Sequence, residues 1–207
     1  VLSGAGSATV ACSGGTWSTT LDVSGASDGA FTVYADHSDG VGNDAPQASR
    51  SFTKDTVAPT VAITSPSAGS TINTVNLGTF SVSGTCSENG RSVTLSGDAS
   101  GSATCSSGTW SASLDFSGAS DGTVTLHADL SDSAGNPAVQ STRTFTKDTG
   151  LPTLTISTPA AGSFMNASND SSFSVTGTCS ENGRDVVITG DASSTVTCSG
   201  GAWSASL

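Results

Sequence analysis

The sequence predicts an all-β chain of tandem two-sheet sandwich modules, and three observations predict it. The first is repetition: CSENGR stands at 86–91 and returns letter for letter 93 positions later at 179–184. Trp17, Trp110 and Trp203 keep the same interval, as do Cys12, Cys105 and Cys198, and SFTKDT at 51–56 reappears as TFTKDT at 144–149. A period the size of one small domain, rather than the roughly 20 to 50 residues of a solenoid, reads as separately folded modules in series. The second is an apolar alternation of period two. The third is a turn-forming cluster after nearly every alternating run.

The repeat divides the chain into the C-terminal part of one module (1–56), a complete module of about 93 residues (57–149) and the N-terminal part of a third (150–207). In the complete module, strands are expected at 60–65, 79–87, 91–97 and 102–106, each with apolar residues on alternate positions. In TWSASLDF (109–116), Trp110, Ala112, Leu114 and Phe116 share one face, with Ser111, Ser113 and Asp115 on the other. GTVTLHADL (122–130) sets Val124, Leu126, Ala128 and Leu130 against Thr123, Thr125, His127 and Asp129, and a last strand is expected at 140–147. SPSAGS, SENG, SGDASG, SSG, SGASDG and DSAGN supply the turns between them. No segment carries a helical stripe. Seven short antiparallel strands at this spacing suggest a sandwich of immunoglobulin-like type. Trp110 falls within the apolar alternation and reads as a core plug rather than a ligand platform.

The linker DTVAPTVAITSP, the phrase SVSGTCSENG and the late ADLSDSAGN run together resemble the immunoglobulin-like tandem repeats of large bacterial surface adhesins and biofilm-associated proteins. The resemblance extends over the whole chain. It implies an extracellular, bacterial cell-surface setting, and some such arrays hold calcium between repeats. Cysteines in every repeat are not general in that group, a departure that this chain makes at each copy.

In an immunoglobulin-like topology, the end of the second strand and the end of the fourth lie at the same pole of the module. Cys86 closes one and Cys105 the other, so a bridge is sterically sensible. The two are 19 positions apart, a loop whose closure is worth roughly 3 kcal/mol in the chain-entropy model. Cys179 and Cys198 repeat the pair, which gives one disulfide per module, while the partner of Cys12 would precede residue 1. A metal thiolate site is the weaker alternative, because two cysteines per unit and the scattered His37 and His127 do not supply a zinc ligand set. Free buried thiols are the other. Oxidised pairs imply an extracellular or periplasmic setting.

The same topology sends Glu88, Asp129, Asp132, Asn136 and the linker residue Asp55 toward the joint between the first and second modules, with Asp22 and Asp28 approaching from the other side. Hard oxygen ligands at a joint suit calcium. The competing reading is that Asp, Asn and Gly are turn formers and solubilising charge, since no EF-hand or nonapeptide calcium repeat is present. Both readings stand at this point. Asp36, Asp39 and Asn43 in the first module, and Asp148 and Glu181 in the third, repeat parts of the set.

Function classes narrow by exclusion. The formal charge of −11 repels the phosphate backbone, which makes nucleic acid a poor partner. No apolar run reaches membrane-spanning length, and the first residues lack the basic and apolar regions of an export signal. Tyr34 stands where the next repeat has His127, so no shared serine or cysteine and histidine catalyst is expected, and the paired carboxylates fall in loops without a cleft. Arg91 and Arg184 are placed to pair with nearby acids, although exposed pairs contribute little. Lys54 and Lys147 each sit on a module's last strand beside the linker, a position that disfavours a Lys–Asn crosslink. Asn166 and Asn169 begin NAS and NDS sequons. Both chain ends fall inside a module, which suggests a window on a longer repetitive polypeptide. The expected role is an extracellular stalk or fibre segment that projects a distal adhesive domain. Its partners would be neighbouring repeats of the same polypeptide and, in a fibre, other copies. The alternatives are a self-assembling filament or sheath, and modules that themselves bind glycan or a host protein through polar loops. No enzymatic role is expected.

Overall fold

The computed structural model describes residues 1–207, all of them strands, turns and loops without a helix. The chain divides into two compact bodies, Val1–Asp148 and Thr149–Leu207.

The first body opens with three strands, β1 (Leu2–Gly4), β2 (Gly29–Ala35) and β3 (Ala48–Lys54), which form one antiparallel sheet in the order β1-β2-β3. Its complete sandwich follows. β4 (Val61–Ser65), β6 (Phe80–Cys86) and β9 (Thr109–Leu114) make one sheet in the order β4-β6-β9. β5 (Thr71–Ile72), β7 (Ser92–Gly97), β8 (Gly101–Thr104), β10 (Gly122–Asp129) and β11 (Ser141–Lys147) make the other, in the order β5-β11-β10-β7-β8. All seven strands expected from the alternation form within two residues of their expected ends.

The eighth, β5, has no alternation to announce it. It exists because the incoming chain changes sheets: β4 pairs antiparallel with β6, its register shifts between Ile63 and Ser65, and two residues then pair in parallel with β11. Arg143 holds the crossing segment by donating from Nη1 to the carbonyls of Thr64 at 3.2 Å and Pro66 at 2.7 Å.

The apolar faces of the two sheets close on one another, as period-two strands require. Ile63, Val82, Val93, Leu95, Leu114, Val124 and Leu126 fill the interior. Phe80, Phe116 and Phe145 meet edge to face, with centroids 5.0 to 6.4 Å apart, the geometry that ring quadrupoles favour. Trp110 is 3% exposed; its indole lies over Gly84, its register partner on β6, and its Nε1 donates to Thr85 O at 3.2 Å.

The contrast with the first repeat is informative. Residues 1–56 contain no counterpart of β4 or β6, and residues 16–21, which correspond to β9, form no strand. β9 pairs with β6 alone, so its counterpart has no ladder to join. Trp17 is accordingly 53% exposed and Phe52 47%, with Phe52 stacked on Phe31 at 5.6 Å.

The second body repeats part of the design. β12 (Ser174–Thr178) pairs with β15 (Ala202–Ser206), and β13 (Asp185–Ile188) with β14 (Ser194–Thr197). Trp203, 4% exposed, packs with Val175, Val186, Ala205 and the cysteines Cys179 and Cys198.

Candidate functional site at the cystine corner and the linker

Cys86 ends β6 and Cys105 follows β8, so their bond ties one sheet to the other; S–S is 2.11 Å and Cα–Cα 6.0 Å. Cys179 and Cys198 are joined likewise, at 1.98 Å and 6.1 Å. Cys12 is unpaired and exposed.

The residues of CSENGR build the corner around this bond. Arg91 N–H donates to Glu88 O at 3.1 Å and closes a turn in which Gly90 has φ +85°, a value that glycine adopts without strain. Gly90 N–H donates to Cys105 O at 2.8 Å, and Cys105 N–H to Arg91 O at 2.8 Å. Asn89 Oδ1 accepts from Gly108 N–H at 2.9 Å, which pins the turn to the β8–β9 hairpin. In the second body, Gly183 donates to Cys198 O at 2.8 Å and Gly201 to Asn182 Oδ1 at 2.8 Å, so the corner is reproduced bond for bond.

The linker is held from both sides. Asp28, at the start of the first repeat's β2, accepts from Thr56 N at 3.1 Å and from Thr56 Oγ1 on both carboxylate oxygens, at 3.0 and 2.9 Å. From the complete sandwich, Asn136 Nδ2 donates to Asp55 O at 3.0 Å. Asp55 Oδ1 in turn accepts from Val57 N at 3.0 Å.

The acids nominated for calcium take their hydrogen bonds from amide nitrogens and hydroxyls of nearby loop residues rather than from a second acid. Asp132 accepts from Asn136 N at 2.8 Å and Asn136 Nδ2 at 2.7 Å; these bonds, the side-chain amide first, hold its carboxyl below the ordinary value of 3.8. Asp129 accepts from Gln140 Nε2 on both oxygens at 3.0 Å. Glu88 contributes its backbone carbonyl to the corner turn. No three side chains among His, Cys, Asp and Glu stand together in a group able to hold a metal ion. Asp39 and Asn43 repeat the Asp132–Asn136 arrangement, at 2.9 and 2.8 Å, and Asp36 repeats Asp129 by accepting from Gln47 at 2.9 Å. Asp22 accepts from Ser24 N at 2.8 Å, and Glu181 from Ser180 Oγ at 3.3 Å. An amide-satisfied carboxylate at a loop neck is a turn clamp.

Arg91 reaches the carbonyl of Ser131 at 3.0 Å rather than an acid, and His127 shares a hydrogen bond with Thr142 at 2.9 Å on the outer face of its sheet. Two residues carry roles that the alternation does not signal. Lys147, 6% exposed, donates to Ala119 O at 2.7 Å and Asp121 Oδ1 at 3.3 Å. Lys54 donates to the carbonyls of Val23, Ser24 and Ala26 at 3.2, 2.9 and 2.6 Å. Each lysine caps the loop that precedes its neighbouring strand.

Residues 59–128 match the family model of a bacterial Ig domain. The bacterial Ig match runs from β4 through nearly all of β10 and includes the whole cystine corner. No curated protein matches the sequence. Among solved structures, the chain is similar to the tetra-tandem repeat in the extending region of a large adhesion protein. That likeness has 23% identity and a TM-score of 0.43, over 92% of this chain and 51% of the other. It is also similar to a structure of a bacterial ice-binding adhesin of 1.5 MDa, described in terms of host cell surface retention, with 24% identity and a TM-score of 0.45 over 87% and 64%. A third likeness is to fibronectin(III)-like modules of Clostridium thermocellum CbhA, with 17% identity and a TM-score of 0.36 over 71% and 78%. The chain thus spans about half of the first and under two thirds of the second. The fold is defined by strand order, register and the bacterial Ig match. No helix is long and apolar enough to cross a membrane.

Proposed function

We propose that the chain is a spacer segment of a large repetitive bacterial surface protein: non-catalytic immunoglobulin-like modules, laid out as 1–56, 57–149 and 150–207, that hold a distal adhesive domain away from the cell. The observation that carries this reading is the linker clamped on both sides, by Asp28 through Thr56 and by Asn136 through the Asp55 carbonyl. A linker meant for free swivelling leaves its backbone to water; one bonded to both neighbours transmits orientation. The bacterial Ig match and the cystine in each body support the same role in an oxidising, extracellular setting.

The test is a distance distribution by pulsed electron paramagnetic resonance between spin labels at Ser49 and Thr144, in a Cys12→Ser background. A narrow distribution that broadens in the Asp28→Ala, Thr56→Val double variant is expected; a broad one in the parent chain overturns the reading. On glycan and host-cell arrays the chain is expected to be inert, and saturable binding there would move the function to the loops.

A further inference from the structure

Asn89–Gly90 and Asn182–Gly183 are the two Asn–Gly pairs of the sequence. In an open chain such a pair is chemically labile, because no side chain on the glycine shields its nitrogen. That nitrogen attacks the asparagine Cγ, a C–N bond forms, and ammonia leaves with the proton. Water then opens the resulting succinimide at either carbonyl, which gives aspartate or isoaspartate. The step requires a free glycine N–H and an asparagine amide that can swing over it.

The closed corner denies both. Gly90 N–H is bonded to Cys105 O at 2.8 Å, and the Asn89 amide is held away toward the next hairpin by Gly108 N–H at 2.9 Å. The second body does the same with Gly183 on Cys198 O at 2.8 Å and Asn182 on Gly201 at 2.8 Å. In both bodies the carbonyl that occupies the glycine nitrogen belongs to a half-cystine, whose place is fixed by its bond across the two sheets.

We propose that each cystine guards the adjacent Asn–Gly pair, so that reduction of Cys86–Cys105 or Cys179–Cys198 makes Asn89 or Asn182 a site of spontaneous deamidation. A thiol reductant supplies two electrons and two protons, becomes a disulfide itself, and leaves two cysteine thiols. Without the cross-sheet bond the corner opens, the glycine nitrogen is released and succinimide chemistry proceeds. Reduction is reversible; the product is not. Isoaspartate inserts an extra backbone carbon into a turn closed by the Arg91–Glu88 hydrogen bond, so a unit that has lost its staple carries a permanent record of the loss.

The experiment incubates the 207-residue chain at mildly alkaline pH, oxidised in one arm and reduced and alkylated in the other, with a synthetic peptide of residues 84–93 as the open reference. Peptide mapping reads aspartate and isoaspartate at positions 89 and 182. The oxidised chain is expected to react at least about tenfold more slowly than the peptide, the factor set by the free energy of local opening, and the reduced chain to approach the peptide rate. An oxidised chain that reacts as fast as the peptide overturns the protection. A reduced chain as slow as the oxidised one overturns the role of the cystine. Near-ultraviolet circular dichroism assigns release in the reduced arm to the corner or to the whole unit, and both routes fulfil the proposal.

Discussion

At the scale of single residues, the most demanding position is Gly84. An added Cβ there would run into the Ala62 carbonyl and lie 2.7 Å from Trp110 Nε1, and Gly177 faces Thr155 O and Trp203 in the same way. Glycine is present for close approach of an indole and a neighbouring strand, not for backbone freedom. Gly84→Ala is expected to destabilise the complete sandwich by about 1–3 kcal/mol, the range of an overpacked core, with a matching loss of Trp110 near-ultraviolet dichroism in urea titrations. Asp132 makes a second prediction. Its carboxyl is held below 3.8 by the Asn136 bonds, so its stabilising contribution is complete above about pH 5 and is lost as pH falls through the depressed folded value. Melting temperature should therefore fall on acidification more steeply in the parent chain than in Asp132→Asn. The two curves should separate near neutral pH and converge at low pH.

Elements explain what the sequence revealed and what it withheld. The strands were legible because each buries one face, which writes period two into Phe80, Val82 and Cys86 or Val124, Leu126 and Ala128. β5 was not, because a two-residue strand has no period and its partner lies more than seventy residues ahead on β11. The cysteine spacing and the strand order bring Cys86 and Cys105 to one pole. The acids at that pole were legible as a group, but their partners were not, since Asn136 and Gln140 satisfy them through geometry that only the loops create. Lys147 was hidden for a similar reason: its acceptors lie 28 and 26 positions earlier, in a loop without periodic signal. Lys147→Met keeps the buried stem and removes the donor. It is expected to cost about 1–3 kcal/mol in chemical denaturation by leaving the Ala119 carbonyl unpaired.

For the whole molecule, the joint is held by hydrogen bonds between amides, hydroxyls and carboxylates. Its stability should thus be indifferent to divalent ions. The melting temperature is expected to agree within about 1 °C between chelator and millimolar calcium, since a ligand bound only by the native state would raise it by mass action. A calcium-dependent rise of several degrees would restore the ion to the joint. The design also sets how the complete sandwich meets a mechanical load. Its last strand, β11, runs parallel to β5 near its start, joined by Gly69 N–H to Thr144 O at 3.0 Å, Thr146 N–H to Ser70 O at 3.1 Å and Asp148 N–H to Ile72 O at 2.9 Å. Tension applied through the two ends slides these strands along one another, so the three bonds stretch together; an antiparallel terminal pair would unzip one rung at a time. The shortest strand in the sandwich is therefore its shear pin.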